Sequence, residues 1–150
     1  MLAAVGTTSY NLVLLLHILF AIVGFAPTFV HPLLARQTRS LDDGVRRQVL
    51  VMFGGNGRRF YAPAVIIMGL LGFALSGMSD GAYSMSQGWL IASAVIWIAI
   101  NGILHAVLLP AERAAADGDR SAEQRVDVAG AALSVLLLVM LYLMVFKPGL

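Results

Sequence analysis

The side chains of this chain that are best suited to chemistry are its three histidines, since the chain contains no cysteine and therefore no thiolate. Two of them, His17 and His31, lie in the first apolar segment together with Tyr10, Gly24 and Thr28. Successive spacings of 7, 7, 4 and 3 place these five residues on one stripe of an α-helix. Polar side chains inside a bilayer normally face protein, so we expect the stripe to face the interior of a helical bundle.

A second polar stripe lies in the third apolar segment. It repeats every four residues and consists of Ser93, Trp97, Asn101 and His105. If the two stripes face one another, the imidazoles of His31 and His105 lie at similar depth and can ligate the iron of a haem b, or another metal. Asn101, one turn before His105, can then orient its imidazole. His17 is a further candidate ligand about 21 Å from His31 along the helix, at a level where the chain has no second histidine.

The same residues have a structural interpretation, which we favour. Buried polar side chains often serve only to hydrogen-bond a neighbouring helix. The sequence contains no Walker loop, no nucleophile elbow and no pair of carboxylates inside an apolar segment. It offers no complete catalytic set, and an enzymatic role is not predicted.

A candidate anion site precedes the second apolar segment, where the sequence runs Gly54-Gly55-Asn56-Gly57-Arg58-Arg59. Exposed backbone N–H groups and the guanidiniums of Arg58 and Arg59 suit a lipid phosphate or another anion. The favoured alternative is a flexible turn followed by arginines that only fix the orientation in the membrane, because such flanks are common.

Four apolar segments must position these side chains. They comprise approximately residues 10–34, 61–78, 89–109 and 128–146, each close to the ~20 residues that a transmembrane helix requires. The whole chain is 59% hydrophobic and only 12% charged, far more apolar than an ordinary globular domain. The sequence therefore predicts an all-α membrane protein, a single domain of residues 1–150 built as a four-transmembrane-helix bundle.

The cationic residues predict how this bundle is oriented. Six arginines lie in the first loop and three in the third, whereas the other loops and termini hold one cation, Lys147. Loops rich in arginine stay on the cytoplasmic side of a membrane. We therefore expect both termini on the outer face, with the blocks Arg36–Arg59 and Glu112–Asp127 in the cytoplasm. The same arginines account for the pI of 9.4, so nucleic-acid binding is not predicted.

The first loop is predicted to contain a short amphipathic helix on the cytoplasmic membrane surface. Ser40 and Asp43 resemble a capping box at its start. Apolar residues that share one helical face follow: Leu41, Val45, Val49, Met52 and Phe53. The glycines at 54, 55 and 57 are expected to break this helix before the second transmembrane helix begins.

Three features resemble a family of small bacterial integral membrane proteins of unknown function: a histidine in the first helix, Arg-Arg-Phe-Tyr-Ala-Pro at 58–63, and Trp-Leu-Ile-Ala at 89–92. The resemblance covers nearly the whole chain and implies a multi-pass protein of the bacterial cytoplasmic membrane. The chain is also distantly similar to the copper-resistance D membrane domain and the HemJ protoporphyrinogen oxidase group, whose first-helix histidine only His17 or His31 can match. HemJ-type proteins carry a tryptophan-rich first helix and a Leu-Pro-Arg motif, where this chain has Ala-Pro-Thr-Phe-Val-His-Pro at 26–32. Because of that departure, the oxidase activity is not transferred.

These patterns together favour a non-enzymatic subunit or scaffold of a membrane complex. Such a protein contacts membrane lipid and assembles with copies of itself or with a larger complex. Small residues on the predicted helix faces, Gly69 and Gly72 among them, permit the close helix approach that assembly requires. The alternative is a haem- or metal-binding electron-transfer protein that uses His31 and His105.

Overall fold

The computed structural model describes residues 4–38, 40 and 42–149, and within these ranges its regular structure is entirely helical. A bilayer core offers no water to hydrogen-bond the backbone, so a chain that crosses it must pair its backbone N–H and C=O groups internally. An α-helix does this within a single segment. The α-helices follow in the order α1 (Thr8–Thr38), α2 (Asp43–Asn56), α3 (Ala62–Gly77), α4 (Gly88–Ile103), α5 (Leu109–Ala116) and α6 (Arg120–Phe146).

Two π-helical turns join four of these elements into two longer helices. Gly57–Tyr61 connects α2 to α3, and Leu104–Leu108 connects α4 to α5. The described part of the chain thus has four helices long and apolar enough to cross a membrane: Thr8–His31, Asp43–Gly77, Gly88–Ala116 and Arg120–Phe146. The prediction of an all-helical protein with four helices long and apolar enough to span a membrane is confirmed for the described residues, although the second and third helices extend well beyond 61–78 and 89–109.

The predicted helix break at residues 54–57 is wrong. The backbone of Gly57 is helical, and α2 continues through it into the π turn and α3. The glycine serves close packing instead, since a Cβ on Gly57 would lie 2.8 Å from Leu109 Cδ2 and 3.1 Å from Glu112 Oε2. Glycine lowers helix stability by about 1 kcal/mol. The close approach of the second helix to α5 offsets that cost.

The start of α2 also differs from the prediction. Asp42 is the N-cap and accepts a hydrogen bond from Gly44 N at 3.1 Å, while the Ser40 hydroxyl donates to the Gln37 carbonyl. The expected capping box is therefore absent from these residues. On the predicted apolar face, Val45 and Met52 are exposed. Val49 is half-buried and Phe53 is buried. Leu41 lies outside the described residues, and a position of α2 on the membrane surface stays a prediction.

The packed interior draws on all four long helices. α1 packs mainly on α3, α4 on α6, and α2 on α5. The buried core includes at least one side chain from each long helix: Phe25, Val65, Ile100 and Leu137. This core lies between two ends of the bundle that differ in their polar residues.

One end, formed by the α3–α4 loop and the C-terminus, carries few charges. Lys147 Nζ donates to the Tyr83 hydroxyl at 3.0 Å, and the Trp89 ring meets Tyr83 edge-on at 5.8 Å. The other end, called the arginine-rich end, holds the five arginines of α2, the first π turn and α5, together with the turn at 117–119. At this turn Asp119 caps α6, and the hydrogen bond from the Ser121 hydroxyl lowers the pKa of its carboxyl.

The orientation of these two ends across the membrane stays a prediction, which single cysteines can test because the chain has none. We expect a membrane-impermeant maleimide to label Ser86→Cys in intact cells, and Ser121→Cys only after permeabilisation. Both serines are exposed, at opposite ends, so burial does not explain a difference in labelling. Labelling of Ser121→Cys in intact cells would place the arginine-rich end outside.

Candidate functional site

A cavity of about 410 Å³ lies at the arginine-rich end of the bundle, lined by residues of α1 to α6 and of both π turns. Much of its wall is apolar, as in most small-molecule sites. Its charged or titratable wall residues are His31, Arg46, Tyr61, Glu112, Glu123 and Asp127. Ionisable groups gathered inside a spanning bundle normally mark function, which makes this cavity the candidate site.

The centre of the site is a pair formed by His31 on α1 and Glu112 on α5. His31 Nδ1 lies 3.4 Å from Glu112 Oε1, and the two side chains are 16% and 8% exposed. The imidazole stacks on the Phe53 ring, with centroids 4.2 Å apart, and meets the Tyr61 ring edge-on at 5.8 Å. These ring contacts hold the imidazole with Nδ1 towards the carboxylate.

Glu112 is the most deeply placed charged group of the cavity wall. The residue is 6% exposed, and its Oε2 is buried without a hydrogen-bond partner among the described residues. Only Oε1 faces His31. A buried carboxylate oxygen that receives no hydrogen bond costs free energy, so a ligand that supplies a donor or a positive charge would be stabilised here.

An ion pair forms a second part of the wall. Arg46 of α2 donates to Glu123 of α6, and their side chains are 20% and 27% exposed. Asp127, one turn further along α6, also lines the cavity. The described wall thus combines the carboxylates of Glu112, Glu123 and Asp127 with the guanidinium of Arg46 and the imidazole of His31.

The two π turns help to shape this cavity. Gly57 and Tyr61 of the first and Leu104 and Leu108 of the second all line it. A π turn holds one residue more than an α-helical turn, so it changes the direction in which later side chains point. The second π turn directly precedes α5 and thereby sets the face on which Glu112 lies. Such turns recur at functional sites in helical proteins.

His105 does not lie at this site. It is exposed and is not among the residues that line the cavity beside His31. Residues four apart in an α-helix are offset by about 40°, so the stripe from Ser93 to His105 drifts by about 120°. His105 also lies within the second π turn. The expected approach of His31 to His105 is thus not found, and whether either ligates a haem iron stays an untested prediction.

His17 and Asn101 each contact a backbone carbonyl. His17 Nδ1 lies 2.8 Å from the Met68 carbonyl oxygen, and Asn101 Nδ2 donates to the Trp97 carbonyl at 2.8 Å. In a helix the Met68 carbonyl oxygen also accepts from the amide of Gly72. Because Gly72 has no side chain, the His17 imidazole can reach this carbonyl oxygen. The His17 contact links α1 to α3, as the structural interpretation expects. In the described part of the chain, no group of three His, Asp or Glu side chains is arranged to hold a metal.

Arg58 and Arg59, the predicted anion site, lie outside this cavity. Together with Arg113 they line a neighbouring cleft of about 490 Å³ that α2, the first π turn and α5 form. Glu112 lines both spaces and so lies between the inner cavity and the cleft. Anion binding at Arg58 and Arg59 stays a prediction. The structure places the guanidinium of Arg113 in the same cleft.

Sequence reasoning missed Glu112, Glu123 and Arg46 as candidates. The block from Glu112 to Asp127 is rich in charged residues and has the composition of a solvated connector. One signal was available, since Glu112 lies only three residues beyond the third apolar segment and a helix that continues keeps it near the bundle. Its pairing with His31, however, is a contact between distant segments, which periodicity does not reveal.

Comparison with known proteins supports the membrane architecture. No curated protein and no solved structure gives a significant match. The similarity to the copper-resistance D and HemJ groups therefore stays a prediction. A family model described as "Predicted integral membrane protein (DUF2269)" matches residues 11–148, nearly the whole chain. With this match and its four helices of spanning length, the chain belongs to the DUF2269 family of predicted integral membrane proteins.

Proposed function

We propose that this multi-pass membrane protein is a non-enzymatic binding subunit whose cavity accepts a small organic cation, such as a substituted ammonium ion. The observation that carries the proposal is Glu112, a carboxylate 6% exposed inside the bundle, with Oε2 unpaired among the described residues. The proposal includes assembly of the protein with copies of itself or with a larger complex, because a subunit that only binds a cation needs a partner that uses the bound cation.

The buried carboxylate of Glu112 favours a cation over an anion. Arg46, the one guanidinium among the described wall residues, is already paired with Glu123. Glu112 Oε1 faces the His31 imidazole, and its Oε2 has no hydrogen-bond partner among the described residues. An ammonium group can donate to that oxygen and neutralise it, whereas an anion would place a second negative charge beside a buried carboxylate.

The wall beside Glu112 favours an organic cation over a bare metal ion. Tyr61 and Phe53 line the cavity, as do several aliphatic side chains from α4 and α6. Aromatic faces attract ammonium groups, and aliphatic walls bind their alkyl substituents. A volume of about 410 Å³ is within the usual range of small-molecule sites.

Thermal unfolding of the purified protein in detergent tests this proposal. We expect methylammonium, tetramethylammonium or choline chloride to raise the midpoint above that in sodium chloride at equal ionic strength. A ligand at one hundred times its Kd stabilises by about 2.7 kcal/mol. Glu112→Gln keeps the shape of the side chain but removes its charge, and should weaken the apparent affinity at least tenfold.

Asp80→Asn is the matched control, because it removes one exposed carboxylate at the opposite end of the bundle. It should respond to the cations as the wild type does. An unchanged wild-type midpoint in all three salts, or equal responses of Glu112→Gln and wild type, would contradict the cation site. An absorption spectrum of the same preparation addresses the redox alternative: a haem band that His31→Ala and His105→Ala each abolish would establish haem binding by these histidines and favour the redox role instead.

A further inference from the structure

The cleft of about 490 Å³ beside the cavity brings guanidiniums from two helices together. Arg58 and Arg59 belong to the first π turn and Arg113 to α5. Two carboxylates, Glu112 and Asp117, also line the cleft, and Glu112 Oε1 faces His31 on its other side. The described lining therefore carries three cations against two carboxylates, one of which is engaged elsewhere.

These three guanidiniums are free to meet an outside ligand. Arg46 pairs with Glu123 and Arg125 with Asp119, but Arg58, Arg59 and Arg113 make no ion pair with any residue that the structure describes. All three are exposed. A guanidinium presents a planar set of donors that binds a phosphate through two parallel hydrogen bonds. Guanidiniums on both walls of one cleft can therefore hold one phosphate between them.

The surroundings of the cleft indicate a lipid rather than a free phosphate ion. Val51, which lines it, and Phe60, next to Arg59, are each 55% exposed. Phe60 also begins the run of exposed apolar side chains that continues along α3 through Ile66 and Leu70. Guanidiniums at the boundary between charged and apolar surface lie at the depth of lipid headgroups.

We propose that this cleft binds the phosphate of an anionic lipid, with Arg58 and Arg59 on one side, Arg113 on the other, and the acyl chains against Val51 and Phe60. This site is separate from the cation cavity and does not depend on it. Glu112 lies between the two sites. A lipid phosphate held by Arg58 and Arg59 on one side and Arg113 on the other would stabilise the close contact between the first π turn and α5 that Gly57 permits.

Native mass spectrometry of the detergent-purified protein, with added phosphatidylglycerol or phosphatidylcholine, tests the site. We expect the wild type to retain one phosphatidylglycerol in preference to phosphatidylcholine. Arg58→Gln with Arg113→Gln should weaken that binding at least tenfold. Arg47→Gln with Arg120→Gln is the matched control, because it removes the same charge from the same two loops, outside the cleft. The control should keep the preference.

Three results would overturn the proposal. The wild type could bind both lipids equally, or the control pair could lose binding as fully as the cleft pair, which would reduce the effect to overall charge. Displacement of the lipid by inorganic phosphate at low millimolar concentration would identify a free-phosphate site instead. The cation experiment separates the two sites, since Arg58→Gln with Arg113→Gln should leave the response to ammonium ions in place.

Discussion

Gly69→Ala is expected to lower the stability of the protein by about 2–4 kcal/mol. A Cβ at this position would lie 2.1 Å from Trp97 Cε2 and 2.3 Å from Trp97 Nε1, a distance that no packing tolerates. The indole would have to leave its place on α3 and lose the hydrogen bond that its Nε1 donates to the Val65 carbonyl at 2.9 Å. Unfolding by sodium dodecyl sulfate in mixed micelles measures this loss.

Gly102→Ala is the control, because a Cβ there meets nothing within 4 Å. It should be neutral or slightly stabilising, since alanine favours a helix over glycine by about 1 kcal/mol. In a Trp97→Ala background the clash disappears, and Gly69→Ala should then behave as Gly102→Ala does. A Gly69→Ala protein as stable as the wild type would show that the Trp97 ring does not pack against Gly69.

Arg46→Glu is expected to destabilise the arginine-rich end by roughly 2–4 kcal/mol, a value that allows for the partial exposure of the pair. The change replaces the donor to Glu123 with a second carboxylate. It also adds negative charge to a cavity that already has the buried carboxylate of Glu112 in its wall. We expect lower resistance to denaturant and faster hydrogen exchange in α2 and the start of α6.

The charge-swapped protein, Arg46→Glu with Glu123→Arg, should recover at least half of the loss, because the ion pair between α2 and α6 is restored in reverse. Arg47→Glu is the matched single change at the neighbouring exposed arginine and should have little effect. If the swapped protein is no more stable than Arg46→Glu, the two side chains do not meet, and α2 is held against the bundle by other contacts.

The sequence by itself determined the number of spanning helices and the face that α1 turns inward. Hydropathy adds up locally along each segment, and a run of about 20 apolar residues has few alternatives to a spanning helix. The α1 stripe keeps its register over long distances because a seven-residue step is only about 20° short of two full turns. Tyr10 and Gly24 are accordingly buried, and His17, Thr28 and His31 are half-buried.

The tertiary structure decided which polar side chains share a site. The stripe that ends at His105 drifts around α4, and a π turn follows within the same helix, so His105 is exposed while Glu112 faces His31. The glycines at 54–57 continue a helix rather than break it, because Gly57 lets α5 approach. Each outcome depends on small rotations summed along a long helix and on contacts between segments far apart in the chain. A sequence pattern records neither of these, whereas it records directly how many residues in a row prefer lipid to water.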